Sequence, residues 1–152
     1  MSQGQSSRLN KAIVDEQQLA VFSGSIPLET EDPGIALAFG IANMGIPPSQ
    51  LQAAMDMEFR KVQDELINEE EFQKLKNQIE ANFVTGNSTI AGIAESLANY
   101  HMYYGDSKLI NTELNRYLEV TREDIQRVAQ EYFNENNRTV MHYITKPAET
   151  AP

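Results

Sequence analysis

The spacing of apolar residues is helical at the start of the chain, becomes strand-like, and then returns to helical. A short amphipathic helix is predicted from about Arg8 to Asp15, and an apolar run follows over Leu19–Leu28. A second, nearly continuous apolar run at Ile35–Ala42 is bounded by turn residues, which is typical of a buried strand. Asp32-Pro33-Gly34 is a turn signal between them, because proline fixes φ and glycine tolerates positive φ. We expect the two runs to pair as antiparallel strands.

Capping signals and apolar stripes predict long helices after the second strand. Pro47-Pro48-Ser49 opens the first helix, where Ser49 and Gln52 form a capping box. Asn68 with Glu71 repeats this cap before a second helix. Apolar residues follow both caps at spacings of three and four, as in helices packed on one side. These residues are Leu51, Met55, Phe59, Val62 and Leu66 in the first helix, and Phe72, Leu75, Ile79 and Phe83 in the second.

Shorter helices are expected in the last third of the chain. A third helix starts near Ser88 and ends at Gly105, and Asp106 or Ser107 caps a short helix that runs to about Leu118. Thr121 with Asp124 caps a last helix. Its inward side is predicted to carry Ile125, Val128, Ala129, Tyr132 and Phe133.

The end of the chain predicts one more strand and completes an α+β fold. Arg138–Thr145 alternates as a final strand, and residues 147–152 are expected to form a flexible tail. The predicted architecture is a small antiparallel sheet of about three strands, covered on one face by a run of helices. Residues 1–146 would form a single α+β domain that is a fragment of a larger module. At least one edge of so narrow a sheet should be open or built for partners.

Composition excludes several classes of function. The formal charge of −10 and the absence of a basic stripe argue against nucleic acid, and the acidic excess disfavours contact with an anionic membrane. The chain has no cysteine, so thiol catalysis, disulfides and thiolate metal sites are excluded. No apolar run reaches the roughly 18 residues of a membrane span, and the polar first ten residues predict no signal peptide. Targeting signals of a longer protein would lie outside this chain.

Few side chains are candidates for chemistry. Neither His101 nor His142 has a second histidine at i±4, so neither fits a helical zinc motif, and hydrogen-bonded histidines are the better interpretation. Glu69–Glu71 opens a helix, where the helix dipole favours negative charge. Tyr100, Tyr103 and Tyr104 cluster near a helix end, where packing is favoured over a binding patch. The residues by themselves therefore indicate an interaction or support domain without its own active site.

Several stretches, in order, resemble pitrilysin/insulinase-type zinc metallopeptidases. The stretch "SSRLNKAIVDEQQLAVFSG" is similar to the place where a glycine/serine loop leads through an "SRL" helix into a strand. The run from "EDPGIALAFG" to "KNQIEANFV" resembles the strand and helices that follow. "AESLANYHMYYGD" and "VTREDIQRVAQEYFNENNRTVMHY" resemble the closing part. Together they cover nearly the whole chain and resemble the C-terminal part of a non-zinc module. Within the family, the resemblance is to bacterial, Bacteroidetes-like members.

The resemblance implies a position within a larger peptidase, the parent protein. Such peptidases are built from related α+β modules in two halves that close around a peptide in a chamber. Their zinc lies on an inverted H-x-x-E-H helix plus a downstream glutamate, where it activates water for proteolysis. Nothing in this chain matches that motif. The resemblance therefore implies no cofactor and no catalytic residue in this chain, and zinc in a metalloendopeptidase parent of the bacterial cell envelope, periplasmic or associated with the outer membrane.

The non-zinc half of such enzymes carries an arginine and, seven positions later, a tyrosine, which bind substrate backbone and steady the tetrahedral intermediate. Alignment of "IVDEQQLAV" with that pattern puts Val14 at the arginine and Val21 at the tyrosine. Valine carries no charge and donates no hydrogen bond, so both positions are predicted to be inactive. Arg8 would replace the arginine only if the helix were shifted by more than a turn.

The leading hypothesis is a non-catalytic C-terminal module that forms the chamber wall and the interface between halves of a zinc peptidase. Its partners would be the remaining modules of the parent and, for the parent, a peptide substrate. Two alternatives remain open: a structural or assembly module whose parent has lost catalysis, and a peptide-binding module that uses an open sheet edge. An exposed former interface also gives the isolated chain a route to self-association.

Overall fold

A π-helix, two strands and a series of helices follow one another in the computed structural model, which describes residues 7–28, 30 and 34–145. The π-helix is Asn10–Glu16, strand β1 is Ala20–Leu28 and strand β2 is Ile35–Ala42. The helices are α1 Pro48–Asp64, α2 Glu69–Gly86, α3 Ile90–Tyr104, α4 Glu113–Glu119 and α5 Arg122–Tyr132, with 3-10 turns at Ser107–Asn111 and Glu135–Asn137. The tail predicted at 147–152 and residues 32–33 of the predicted turn lie outside the described residues. In the described part, no helix is both long and apolar enough to cross a membrane.

Most of the predicted helix ends are confirmed, because their capping groups are local. The Asn68 side chain accepts a hydrogen bond from the Glu71 amide, 2.8 Å long, at the start of α2. Thr121 and Asp124 form the complete capping box of α5. Asp106 caps the 3-10 turn at Ser107–Asn111, and Gly105 ends α3 with φ of 72°, a left-handed conformation that suits glycine.

The predicted cap at Ser49 is wrong, and the third helix begins later than expected. Helix α1 starts at Pro48, with Pro47 as its N-cap and no side-chain capping bond. Proline is suited to the first position of a helix, since its missing N–H is not needed there, and this places the start one residue before Ser49. Helix α3 begins at Ile90, two residues after the start predicted near Ser88, and Thr89 supplies its cap.

The two strands pair antiparallel, as predicted, and their faces differ in side-chain size. Directly paired positions share a face of the ribbon. One face, the bulky face, carries Phe22, Ile26, Leu28, Ile35, Leu37, Phe39 and Ile41. The opposite face, the small face, carries Ser23, Ser25, Ala36, Ala38 and Gly40.

The prediction that Ile35–Ala42 is a buried strand is wrong, because only the small face meets a helix. A Cβ placed on Gly40 would lie 3.1 Å from Leu51 Cδ2 and 3.5 Å from Met55 Sδ, so the small face approaches α1 closely at that point. The bulky face remains exposed: Ile35 is 67% accessible and even Phe39 is 38% accessible. The apolar run therefore predicted the strand correctly but did not predict whether it is buried.

The buried apolar residues form two separate clusters. The larger joins the π-helix, the start of β1 and the start of α1, and its members are Leu9, Ala12, Ile13, Leu19, Ala20, Leu51 and Ala54. The smaller joins the end of α1 to α5 through Val62, Ile67 and Ala129. Of the inward positions predicted for the last helix, Ala129 is buried and Ile125 packs against this cluster, whereas Val128, Tyr132 and Phe133 are exposed.

The third strand predicted at Arg138–Thr145 is not formed. Within the described residues the sheet has two strands, and residues 138–145 pair with neither. A strand requires a neighbouring backbone to complete its hydrogen bonds, and an alternating sequence supplies only one side of that pairing. The segment instead lies along α1, where Arg138 Nη1 is 2.6 Å from Asp56 Oδ1.

Candidate functional site

The joint between the π-helix and β1 lies between Val14 and Val21, the two positions that the resemblance predicts to be inactive, and its backbone is unusual. The amide of Gln17 donates to the Ala12 carbonyl at 3.1 Å, and that of Leu19 donates to the Ile13 carbonyl at 2.9 Å. Between them Gln18 has φ of 51°, a left-handed conformation that is uncommon for a residue other than glycine. The chain thus reverses over two residues from helix to strand.

Asn43, just after β2, fixes this joint from the opposite side. Its side-chain Nδ2 donates to the Gln18 carbonyl at 2.6 Å, and its amide donates to the Leu19 carbonyl at 2.9 Å. Both carbonyls at the turn are therefore occupied. One asparagine thus holds the turn through hydrogen bonds to Gln18 and to the following Leu19, which offsets the cost of the left-handed backbone conformation.

Val21 is the extra residue of a β-bulge. Ala20 pairs with Ala42 and Phe22 pairs with the adjacent Ile41, so Val21 has no partner across the ribbon. Its side chain is 66% accessible. Bulges turn a side chain out of the regular alternation and are common beside functional sites.

Val14, on the helical side of the joint, has the opposite environment. It is partly buried and packs against the larger apolar cluster. The two valines therefore lie on either side of the reversal, one as part of the packing and the other at the surface. Neither valine side chain has a polar atom. Any hydrogen bonding or charge near the joint must therefore come from neighbouring side chains.

Arg8, the alternative that the sequence offered for the arginine expected at Val14, is bound to a carboxylate. Its Nε and Nη2 lie 2.7 Å and 2.6 Å from the two carboxylate oxygens of Glu71, in a bidentate pair. This hydrogen bonding raises the pKa of Arg8 above its ordinary value, and the charges of Glu71, Glu58 and Glu65 add to the effect. The ion pair links the residues just before the π-helix to α2.

The predicted carboxylate cluster serves the same structural purpose. Besides the Glu71 pair, Glu69 Oε2 lies 3.6 Å from Nε of Arg122 at the start of α5. A shallow depression of about 520 Å³ along α2 is lined by Glu69, Glu70, Gln73, Lys74 and Asn77. These positions form one exposed side of a single helix, so the depression is part of a solvated surface rather than an enclosed site.

The two histidines lie in different parts of the structure, and neither belongs to a metal site. His101 is exposed on α3, and His142 Nε2 lies 2.9 Å from Gln52 Oε1 on α1. Across residues 7–28, 30 and 34–145 no three histidine, aspartate or glutamate side chains are grouped so as to hold a metal ion. The described residues therefore do not fit the zinc site of a metallopeptidase.

The tyrosines at the end of α3 pack on one another at the surface. The ring centroids of Tyr100 and Tyr104 are 6.4 Å apart, as expected for residues one turn apart on a helix. Tyr103 and Tyr104 are 56% and 67% accessible. These two rings are therefore exposed at the end of the helix.

Sequence reasoning located the joint but missed the features that shape it. The π-helix, the left-handed Gln18 and the bulge at Val21 leave no distinctive residue pattern, since none uses the glycine or asparagine that usually signals such geometry. The register that creates the bulge depends on β2, which is distant in sequence.

Comparison with known proteins identifies relatives of the whole chain. No family model matches the sequence. The zinc protease PqqE of Helicobacter pylori is 25% identical over 141 residues, which are 93% of this chain and 32% of that protein. The chain thus spans about a third of the length of this relative.

Solved structures share the fold. A protease from Helicobacter pylori matches with a TM-score of 0.81 and 25% identity over 90% of this chain and 33% of that one. A presumed zinc protease from Bordetella pertussis Tohama I matches with a TM-score of 0.79 and 22% identity, over 96% of this chain and 80% of that one. A structure described as the inactive peptidase domain of a presumed zinc protease from Bordetella parapertussis matches with a TM-score of 0.81 and 21% identity.

The predicted resemblance is confirmed at the level of the family, whereas the Bacteroidetes-like placement stays a prediction. Sequence similarity extends over nearly the whole chain, and the fold is shared with separate solved modules. The match to only a third of the Helicobacter proteins agrees with one module of a larger assembly. Sequence and fold together show that this chain is similar to one part of zinc proteases, over 93% of its own length.

Proposed function

We propose that this chain is a non-catalytic module of a zinc peptidase, and that it forms part of the wall of the peptide chamber and of the interface between the halves of the parent. The observation that carries the proposal is the environment of Val14 and Val21 at the joint between the π-helix and β1. Val14 packs into the apolar cluster and Val21 lies exposed on a bulge, at the two positions where the resemblance expects an arginine and a tyrosine.

Arg8 and Asn43, two polar residues near the joint in sequence or contact, are bound elsewhere in the fold. Stabilising a tetrahedral intermediate requires donors or positive charge aimed at the oxyanion. The nearby arginine, Arg8, is bound through two nitrogens to Glu71. The asparagine at the joint, Asn43, donates its side-chain hydrogen bond to the backbone of Gln18. Both side chains therefore hold the fold together.

The bulky face of the ribbon supports a role as a wall or interface. It has seven large apolar side chains, and neither strand contains a charged residue. Monomeric proteins rarely leave such continuous apolar surfaces open to water, and larger patches mark interaction sites. Since the chain spans a third of its Helicobacter relative, the rest of a parent protein provides the surface that would cover this face.

Zinc, proteolysis and a peptide substrate are proposed for the parent and not for this chain. The name of the Helicobacter relative supports a zinc-dependent parent. The description of the Bordetella parapertussis domain as inactive supports the idea that modules with this fold occur without catalysis. We also propose a cell-envelope location for the parent, as the resemblance implies.

The test compares the purified chain with the full protease. We expect the chain to bind substoichiometric zinc by elemental analysis and to cleave no unstructured peptide, because the described residues form no metal site. Peptide hydrolysis by the chain that is lost on chelation and restored by zinc would overturn the proposal.

A substitution in the full protease tests the vacated position directly. If Val21 has no part in catalysis, Val21→Ala leaves kcat/KM within about twofold, because removing exposed methyl groups changes no polar contact. A loss of about tenfold or more would return Val21 to the active site. A parent without any H-x-x-E-H motif and without activity would favour the alternative of a structural or peptide-binding module.

A further inference from the structure

The bulky face of the ribbon is a continuous apolar surface, although it includes a glycine. Gly24 is paired directly with Phe39 and therefore lies on this face. A Cβ placed on Gly24 would be 3.5 Å from Cε1 and Cζ of Phe22 and 3.6 Å from Cζ of Phe39. The centroids of these two rings are 5.6 Å apart in a stacked arrangement. The rings therefore cover the place where the glycine lacks a side chain, and the apolar surface has no gap there.

The exposed part of this face is close to the size of a dimer interface. Its seven large residues are between 38% (Phe39) and 67% (Ile35) accessible, and Val21, next to Phe22 in the chain, is 66% accessible. With roughly 170 Å² for a whole apolar residue, these exposed parts amount to about 700 Å². A stable interface takes about 800 Å² from each partner. Burial of the bulky face and its immediate border would therefore supply the area that a dimer needs.

The distribution of charge permits a second copy to lie on this face. Neither β1 nor β2 contains a charged residue, so two bulky faces can meet without burying a charge. The formal charge of −10 is carried by the rest of the chain and opposes association over longer distances. Salt shortens the range of that repulsion to about 8 Å at physiological ionic strength. Contact between two copies is therefore expected to be tighter at high salt.

We propose that two copies of this chain form a two-fold symmetric dimer by stacking their bulky faces on each other. The inference rests on the proposed function, which identifies the bulky face as an interface. In a two-fold dimer the same surface serves both copies, so an apolar, uncharged face meets an identical one. Both ribbons have the same hand of twist and can pack about 10 Å apart, as sheets do in a β-sandwich. Such a contact leaves no bulky face open for a third copy.

An extended peptide is a poorer occupant of this face than a second ribbon. The backbone N–H and C=O groups of a peptide need hydrogen-bond partners, which apolar side chains do not provide. A second ribbon has two strands that are already hydrogen-bonded to each other, so stacking it buries side chains and leaves that pairing intact. Within a parent protein, another module would occupy the position that the second copy takes here.

Sedimentation of the isolated chain at several concentrations tests the proposal. We expect monomer near 1 μM and dimer near 100 μM at about 0.15 M salt, as for an interface of modest area. Dimerisation should be about tenfold tighter at 0.5 M than at 0.05 M salt, because the repulsion between the two acidic chains is screened. A chain that stays monomeric at about 1 mM and high salt would overturn the proposal. Growth beyond the dimer with rising concentration would also contradict it.

Lysine substitutions in the same chain locate the interface. Ile35→Lys and Ile41→Lys change two of the most exposed positions of the bulky face, which are 67% and 61% accessible. Each should weaken the dimer by about 100-fold or more, because a charge would be buried without a partner. Ile90→Lys on α3 is the matched control, since it makes the same change in net charge at a residue that is 89% accessible. It should leave the dimer unchanged or slightly tighter, because it lowers the repulsion.

Circular dichroism shows whether each variant is folded, and the two lysines on the bulky face lie near opposite ends of β2, so either one gives the readout. A dimer that persists in both variants would pair through strand edges and not through the bulky face, contrary to the proposal. Loss of the dimer in Ile90→Lys would move the interface to α3 and would equally refute it. A monomeric chain does not touch the proposed function, which is tested by peptide hydrolysis and by Val21→Ala in the full protease.

Discussion

The two ends of the molecule are held together by different forces. Around the π-helix, Leu9 and Ile13 are fully buried in a continuous apolar cluster. At the other end, α5 is tied to the end of α1 mainly by side chain to backbone hydrogen bonds: Gln126 and Gln130 both donate to the Gln63 carbonyl, at 3.1 Å and 2.7 Å. The first region has a core of its own, and the second is positioned by polar contacts around three buried apolar residues.

Helix α3 extends this contrast further. It is apolar in sequence but contains no buried residue, and Ile90 is 89% accessible. Apolar burial is the main stabilising contribution in folding, so a helix without it depends on its local cap and on its contacts with the neighbouring 3-10 turn. The comparison shows that the joint around Val14 and Val21 lies against the larger of the two apolar clusters in the described residues.

The largest expected effect is a difference in stability loss between a substitution at the buried joint and one on α3. Ile13→Ala should lower the free energy of unfolding by about 3 kcal/mol, because it leaves a cavity in the larger cluster. Leu97→Ala on α3 is the matched control; its side chain is 38% accessible, and we expect a loss below about 1 kcal/mol. Urea unfolding followed by circular dichroism measures both. Equal losses would remove the distinction between the two regions.

The ion pair between Arg8 and Glu71 tests whether the joint is also fastened electrostatically. Arg8→Ala should cost about 1–3 kcal/mol, because it leaves a partly buried carboxylate without its bidentate partner. A double-mutant cycle with Glu71→Gln, in the same unfolding assay, isolates the coupling energy. Lys11→Ala, whose nitrogen lies 4.0 Å from Glu16 in an exposed pair, should change stability by less than about 0.5 kcal/mol. A coupling energy near zero would show that the ion pair does not contribute to folding stability.

Two caps that look alike in sequence should differ in effect. Thr121→Ala removes the side chain that accepts the Asp124 amide hydrogen bond and should cost about 1 kcal/mol. Ser49→Ala should change the free energy of unfolding by no more than about 0.3 kcal/mol, because Ser49 does not cap α1. Thermal or urea unfolding distinguishes them. A cost at Ser49 equal to that at Thr121 would restore the cap predicted from sequence.

The smallest expected effect is a pH dependence at the start of α5. Hydrogen bonds from Thr121 lower the pKa of Asp124 below its ordinary value of 3.8. A carboxylate whose pKa is lower in the folded state stabilises the fold above the unfolded pKa and loses this contribution as pH falls through the folded pKa. The stability difference between the wild type and Asp124→Asn should therefore shrink from pH 6 toward pH 3. A difference that stays constant with pH would contradict the assignment.

The sequence predicted correctly where neighbours along the chain decide the structure. Caps at Asn68 and Thr121 and the stop at Gly105 depend on residues within one helical turn, so their patterns are sufficient. The cap at Ser49 failed because the competing signal, proline at the first helical position, is also local and was the stronger. At the candidate site, the resemblance to the family pointed to Val14 and Val21, but it indicated neither the bulge nor the difference in their exposure.

By itself the sequence determined the α+β class, the two paired strands, most helix ends and the absence of cysteine chemistry. Only the tertiary structure decided that β2 is exposed, that Arg8 is bound to Glu71, and that Arg138–Thr145 lies unpaired along α1. The physical reason is the range of the interactions. A helix completes its hydrogen bonds within its own segment, whereas a strand needs a second backbone and an apolar face needs a covering surface, and both come from distant parts of the protein.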